Sequence, residues 1–268
     1  MTDNASAQRL ERSSGCDIFG DDAAGYHAGR IGYPDELYDA VLGRVKAHPD
    51  ILEIGAGTGL ATEALLARSP QSMTVVEPSH KLIAFMSERL HGPGLQFIAG
   101  PFPDVKITGH YDLAVCAAAF HWLDPQAALA RVKALLRPGG VWAMWWNSYR
   151  NAGIGDRLSD AVVPLLEGIA LPPSEGPTGH YSLDTALHKK TLEDAGFGAV
   201  AHHVFRRERQ LSVAEAVALY RSYSFIRLLP DKRRSEFLGN LAALVEDEFG
   251  GSAPNIVLTV GYSAQLGA

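Results

Sequence analysis

Residues 51–60, Ile51-Leu52-Glu53-Ile54-Gly55-Ala56-Gly57-Thr58-Gly59-Leu60, constrain this chain more than any other stretch. A short apolar run breaks into three alternating glycines and then resumes with helix formers, the pattern of a buried strand, a tight turn and a helix. At such a turn no Cβ stands between the backbone and a ligand, and the first amides of the helix point outward. The rest of the chain is read by asking what sits there.

Short apolar runs at 50–55, 73–77, 95–98, 111–116 and 141–146 alternate with amphipathic segments, which predicts an α/β fold with a doubly wound, Rossmann-like parallel sheet and helices on both faces. Upstream, Pro34 opens a helix whose first turn carries Asp35 and Glu36 and whose apolar face is Leu37, Val41, Leu42 and Val45; it ends near His48. The helix after the glycines runs over 59–69, and Arg137-Pro138-Gly139-Gly140 marks a turn before the fifth strand. Beyond Asn147 the rhythm changes. A helix over 154–169, a Pro/Gly-rich loop over 171–179, a helix over 183–195 and a strand over 200–207 are followed by helices over 212–222 and 231–249 and a final strand over 255–262. Residues 1–17 are too polar to fold alone and are expected to be a flexible leader; 18–268 form a single domain, with 148–182 and 210–250 as lid or substrate elements.

The net charge of −6, with both signs mixed along 268 residues, provides no basic stripe for nucleic acid and no polybasic segment for a membrane. No apolar segment reaches the ~20 residues that span a bilayer, and the N-terminus lacks the apolar core of a signal peptide, so the expected setting is cytoplasmic and the expected partner a small-molecule substrate. Oligomeric state is not legible. Cys16 and Cys116 are expected to be free thiols, and His202 and His203 point apart on a strand, so no metal is expected.

The glycine spacing narrows the ligand. A dinucleotide fingerprint needs a small residue where this chain has Leu60, which disfavours a nicotinamide-dependent dehydrogenase. Glu53 precedes the first glycine by two, and Glu77 closes the second strand. The set suits a ligand with a ribose and no pyrophosphate.

Glu53 through Gly59, Glu77, Gly100, Phe120-His121-Trp122 and Leu136-Arg137-Pro138-Gly139-Gly140 together resemble a class I S-adenosylmethionine-dependent methyltransferase. With Tyr26, Arg30, Tyr33-Pro34 and the segment Arg221-Ser222-Tyr223-Ser224, the chain resembles the trans-aconitate-methyltransferase-like branch of small-molecule enzymes from about residue 26 onward. The resemblance implies a seven-stranded sheet with its last strand antiparallel, S-adenosyl-L-methionine as cofactor and methyl transfer to a small molecule. It further implies that the backbone of Gly55, Ala56, Gly57 and Gly59 approaches the methionine part of the cofactor, that Glu77 and Pro78 lie at its ribose, that Gly100, Pro101 and Phe102 form the adenine pocket, and that Ala117 and Phe120 border it after the fourth strand. Glu77 has two oxygens for two ribose hydroxyls. Glu53 either receives the cofactor ammonium or ties down the turn, and Phe102 is either adenine pocket or core. An N-terminal segment folded over the cofactor would let Arg30 grip the methionine carboxylate with Tyr26 and Tyr33 closing the site; the alternative is a solvated Arg30 between packing tyrosines.

Methyl transfer depends chiefly on alignment of nucleophile, methyl carbon and sulfur, and a base matters only for a protonated nucleophile. The catalytic candidates are His121, as base, substrate contact or structural residue, and Asn147 and Tyr149 at the end of the fifth strand. One of Trp145 and Trp146 is expected to face the site and the other a covering helix. The run 206–209 reads as a solvated strand end, and Arg221 or Tyr223 as possible substrate contacts. Two competing readings stand beside methyl transfer: cyclisation, cleavage or aminocarboxypropyl transfer with release of methylthioadenosine, and a non-catalytic cofactor-binding module.

Overall fold

The computed structural model describes residues 22–151, 153–171, 175–176 and 179–267; the polar leader, Cys16 and most of the loop 171–179 lie outside the described residues. The apolar runs form β1 (Asp50–Ile54), β2 (Ser72–Glu77), β3 (Leu95–Ala99), β4 (Tyr111–Ala117) and β5 (Leu136–Ser148), followed by β6 (Phe197–Ser212) and β7 (Ser252–Leu266). They make one seven-stranded sheet in the order β3-β2-β1-β4-β5-β7-β6. β7 is antiparallel to both its neighbours, and the other pairings are parallel. The strand order reverses between β1 and β4, the position at which open α/β sheets bind ligands beyond their carboxyl ends.

Helices α1 (Ala23–Gly29) and α2 (Asp35–Leu42) precede the sheet, α3 (Leu60–Leu66), α4 (His80–Arg89) and α5 (Pro125–Leu135) connect its strands, and α6 (Arg157–Val162) and α7 (Thr185–Asp194) follow β5. Between β6 and β7 the chain inserts α8 (Val213–Arg221), α9 (Ser224–Arg227) and α10 (Asp231–Phe249). Alternate residues of a strand divide between the two faces. Trp142, Met144 and Trp146 pack in one apolar layer with Leu52 and Ile54, whereas Val141, Ala143 and Trp145 pack in the other with Ile51 and Val75. A third cluster, including Leu158, Leu219, Phe225 and Leu241, lies under the late helices.

Three local features differ from the sequence reading. The helix expected over 154–169 is α6 plus a 3-10 turn, Val163–Leu166, because Asp156 caps the start at Ser159 and Pro164 interrupts helical bonding. The turn at 137–140 is absorbed as an irregularity within β5, where Tyr111 pairs with Leu136 but Leu113 with Val141. β6 and β7 run 16 and 15 residues, well past the expected ends: polar residues continue along β6, an edge strand whose outward positions meet solvent, and β7 pairs with it along its length.

Gly59 shows what packs α3 in place. Its φ is +86°, and a Cβ there would lie 2.9 Å from Leu90 Cδ1 and 3.0 Å from Met86 Cγ, so the helix seats against α4 through the missing side chain. Gly59→Val is expected to lower unfolding stability by about 2–4 kcal/mol, from left-handed strain and overpacking together. Urea denaturation checks this, and an unchanged midpoint would refute the packing account.

Candidate active site

A cavity of about 360 Å³ opens at the carboxyl ends of the central strands. Its wall is built from the glycine turn after β1, from Val76, Glu77 and Pro78 at the end of β2, and from the loops after β3, β4 and β5. Tyr26, Arg30 and Tyr33 come over it from the N-terminal side, and His180, Tyr223, Ser224 and Phe225 from the elements beyond β5. Of the residues expected from sequence, Tyr26, Arg30, Tyr33, Gly55, Ala56, Gly57, Glu77, Pro78, Pro101, Phe102, Ala117, His121, Asn147 and Tyr149 share this wall. Glu53, Gly59, Gly100 and Phe120 do not line it.

Each of the four has a different position. Gly59 packs under α4, as described above. Gly100 turns the chain out of β3 at φ +133°, and its N–H donates to the Glu77 carbonyl at 3.1 Å. Phe120 is fully buried in the core against Trp142. Glu53 lies behind the turn, fully buried, with Oε2 accepting from Thr62 Oγ1 at 2.7 Å and Oε1 buried without a hydrogen-bond partner. One of its oxygens ties the turn to α3, and the other lacks a donor.

Glu77 bridges two loops. Its Oε2 accepts from the Gly57 N–H at 2.9 Å and its Oε1 from the Ser79 N–H at 3.0 Å, which leaves each oxygen further lone-pair capacity. Burial pushes both carboxyls up to about 7, opposed at Glu77 by its two backbone hydrogen bonds and at Glu53 by Thr62, with the Glu77 charge adding to the rise at Glu53. At Gly57, with φ +60°, a Cβ would meet no protein atom within 4 Å; that slot opens on the cavity.

Arg30 sits half-buried in an aromatic box. Its guanidinium lies 5.3, 4.9 and 4.6 Å from the ring centroids of Tyr26, Tyr149 and Tyr223, and its Nε donates to Ser222 Oγ at 2.7 Å. The surrounding phenols hold it charged against the desolvation that opposes its charge. The backbone just after it is held by Asn147, whose Nδ2 donates to the carbonyls of Ile31 and Gly32 at 3.1 and 3.3 Å and to the Tyr149 hydroxyl at 3.2 Å. Asn147 Oδ1 accepts from Thr259 Oγ1 at 2.6 Å and from Arg207 Nη2 at 3.3 Å, and the same Nη2 donates to Gly32 O at 2.8 Å. The run 206–209 is therefore not simply a solvated strand end: Arg206 pairs with Glu208 outside, while Arg207 reaches inward to the N-terminal strap.

The two tryptophans separate as strand alternation requires. Trp146 lines the cavity, and Trp145 packs on Tyr33 and Tyr38 in the other layer. Trp146 Nε1 donates to His121 Nδ1 at 3.0 Å. On the late helices Tyr223 reaches the wall and Ser222 takes Arg30, while Arg221 is exposed. Sequence reading missed Arg150 and His180, both on the wall. Arg150 lies just past the strand that drew attention to Tyr149, and His180 sits in a Gly/Pro-rich stretch with no periodicity. His202 stacks on Tyr262 and His203 bonds to Ser263; among the described residues no group of three His, Cys, Asp or Glu side chains is placed to hold a metal. Cys116 is buried and free, and no helix of the described residues is long and apolar enough to cross a membrane.

The donor set fits S-adenosylmethionine. Glu77 has lone pairs for ribose hydroxyls, the orphaned Glu53 Oε1 suits an ammonium or a bridging water, and the open slot at Gly57 admits a ligand against the backbone. Comparison with known proteins agrees. A profile of the methyltransferase domain matches residues 51–140, from β1 into β5. An uncharacterised methyltransferase-like protein of Schizosaccharomyces pombe is 26% identical over 245 residues, covering 89% of this chain and 88% of its own. The chain carries a methyltransferase domain and is an S-adenosylmethionine-dependent methyltransferase. Trans-aconitate 2-methyltransferase of Acidovorax sp. is 36% identical to it over 109 residues, 39% of this methyltransferase and 41% of that protein. A solved structure from Anaeromyxobacter dehalogenans, described as a candidate type II methyltransferase, shares the fold with a TM-score of 0.65 at 19% identity, covering 89% of this chain and 99% of the other. These relatives favour methyl transfer over cofactor cleavage and over a non-catalytic module.

The raised carboxyls set a pH dependence. A folded-state value near 7 against 4.5 means that their contribution to stability is complete below about 4.5 and is lost as pH rises through about 7, where both ionise while buried. Ribose hydroxyls and an ammonium favour the ionised forms, so binding of S-adenosylhomocysteine by the methyltransferase is expected to tighten between pH 5.5 and 8 and to release protons. Calorimetry in buffers of different ionisation enthalpy measures both; an affinity independent of pH would contradict this electrostatic picture.

Proposed function

We propose that this methyltransferase acts on a small organic acid and methylates a carboxylate oxygen. The observation that carries the proposal is the positive end of the cavity. Arg150, Arg30 and His180 all line the cavity, and the His180 ring is driven down to about 3, by burial first and then by the charges of the two arginines. An anionic acceptor is favoured there. The similarity to a methyltransferase named for an organic acid supports the same reading.

S-adenosylmethionine supplies, when bound, a methyl group made electrophilic by its sulfonium. In this reading Glu77 accepts from the ribose hydroxyls, with Pro78 beside it. Glu53, behind the turn and off the wall, reaches the ammonium through water. Gly55, Ala56 and Gly57 offer backbone contact, and Pro101, Phe102 and Ala117 border the adenine. Arg30 turns its Nε to Ser222, so a methionine carboxylate would meet the Nη1 side of the guanidinium, with Tyr26 and Tyr33 closing over it. Asn147 and Tyr149 hold the strap that carries Arg30, and Gly59, Gly100 and Phe120 shape the loops behind the wall. Residues 148–182 and 210–250 serve as the lid, contributing Arg150, His180 and Tyr223. A carboxylate acceptor arrives ionised, so the residues need only exclude water and align it.

A panel of mono-, di- and tricarboxylic acids incubated with the cofactor is expected to yield methyl esters by mass spectrometry; methylthioadenosine as the sole product would contradict the proposal. Arg150→Gln is expected to raise KM for the best acid roughly 10- to 100-fold, the worth of a charged hydrogen bond, while affinity for S-adenosylhomocysteine changes by less than about threefold. An unchanged KM would remove Arg150 from the acceptor site.

A further inference from the structure

A neutral imidazole has one N–H and one lone pair, and whichever nitrogen accepts a hydrogen bond from a fixed donor cannot carry the proton. Both histidines on the cavity wall meet such a donor. Trp146 Nε1, which can only donate, lies 3.0 Å from His121 Nδ1. The backbone N–H of Ser182 lies 3.2 Å from His180 Nδ1, with Ser182 Oγ on the same nitrogen at 2.8 Å.

Neither donor has room to turn away. Trp146 is buried, packs at a tilt against His188 with ring centroids 5.4 Å apart, and meets Tyr181 edge-on. Tyr181 in turn packs edge-on against His188, and His188 Nε2 bonds to the Tyr181 carbonyl at 3.0 Å. The Ser182 N–H is main chain in a 3-10 turn started by His180 itself. A proton on Nδ1 of either histidine would set N–H against N–H.

We infer that the protein fixes His121 and His180 as Nε2–H tautomers that donate hydrogen bonds to the acceptor's oxygens, so that neither is a general base and the site selects a nucleophile that arrives already deprotonated. Trp146 is the positioning residue for His121, and the Ser182 backbone for His180. Of the acids on the described wall, Glu77 accepts from two backbone amides and keeps lone pairs that the proposed function assigns to the ribose, and Asp124 Oδ1 caps α5 through Ala127. Burial holds the Tyr26 and Tyr223 phenols above their ordinary range, so they too stay protonated. The wall thus presents cations and N–H donors. Alcohols and amines, which must lose a proton in the transfer, find no acceptor for it on either ring, whereas a carboxylate needs none. The choice of acceptor rests on the carboxylate reading above; the tautomers do not.

The test is long-range 1H–15N correlation on the full chain with 15N-labelled histidine, loaded with S-adenosylhomocysteine at neutral pH. His121→Gln and His180→Gln identify the two rings. The expected result is a bare Nδ1 and a protonated Nε2 on both, with Trp146→Phe moving His121 toward a mixture of tautomers and leaving His180 unchanged. A protonated Nδ1 on either ring of the unsubstituted protein overturns the inference, whether or not the variant folds. With the acid of highest turnover, His121→Leu and His180→Leu are expected to raise KM about tenfold or more, and the Gln variants, which restore an N–H, to recover most of that loss. A kcat loss of 100-fold or more in a Gln variant, the range of a lost general base, would also overturn it. If no acid is methylated, the carboxylate reading fails and the spectra alone decide the tautomers.

Discussion

One carboxylate holds the site together. Glu77 closes β2 and accepts one N–H from the glycine turn after β1 and another from the start of the loop into α4. Two loops that carry no regular pairing of their own are thereby fixed to one side chain. Placing it there costs desolvation, seen in its raised carboxyl, and the backbone donors offset that cost in part. The turn can reach Glu77 because its glycines adopt left-handed conformations, and at Gly55 a Cβ would come within 2.6 Å of Ala119 Cβ on the loop after β4. The shape of three loops thus follows from one acceptor and one missing side chain.

The opposite wall depends on a second set of polar contacts, which join segments far apart in sequence. Asn147 uses its amide N–H groups on the strap after Arg30 and its carbonyl on Thr259, and Arg207 reaches the same strap from β6. Arg30 then sits between rings from α1, the end of β5 and the late helices, with Ser222 as its hydrogen-bonded partner. A half-buried guanidinium needs such partners, because each ring face and acceptor replaces hydration lost on burial. The N-terminal segment, the sheet and the insertion before β7 therefore meet around a single cation.

Much of this was legible in the sequence, for identifiable reasons. β1, β2, β4 and β5 were found because strands covered on both faces read as apolar runs, and the glycine turn was found because its backbone conformation excludes other residues. Glu77 stood out because it closes the strand next to that turn. The ends of β6 were not legible, since an edge strand alternates with polar residues and resembles a loop, and β7 extends by pairing with it. The same ambiguity made Arg207 look like a solvated cation, when its partner Gly32 O lies 175 residues earlier in the chain. Gly59 and Gly57 are indistinguishable by spacing, yet one faces a helix and the other the cavity. Arg150 and His180 carry no motif, and only the fold brings them to the wall.

The central claim is that Glu77 both ties the turn and receives the cofactor's ribose. Calorimetric titration of Glu77→Gln with S-adenosylhomocysteine tests it most directly, because the amide keeps the side chain's shape and one acceptor oxygen while removing the charge. The predicted result is a Kd raised roughly 10- to 100-fold with a cooperative thermal transition retained, the worth of one charged hydrogen bond to the ligand. A Kd equal to that of the unsubstituted protein would contradict the account.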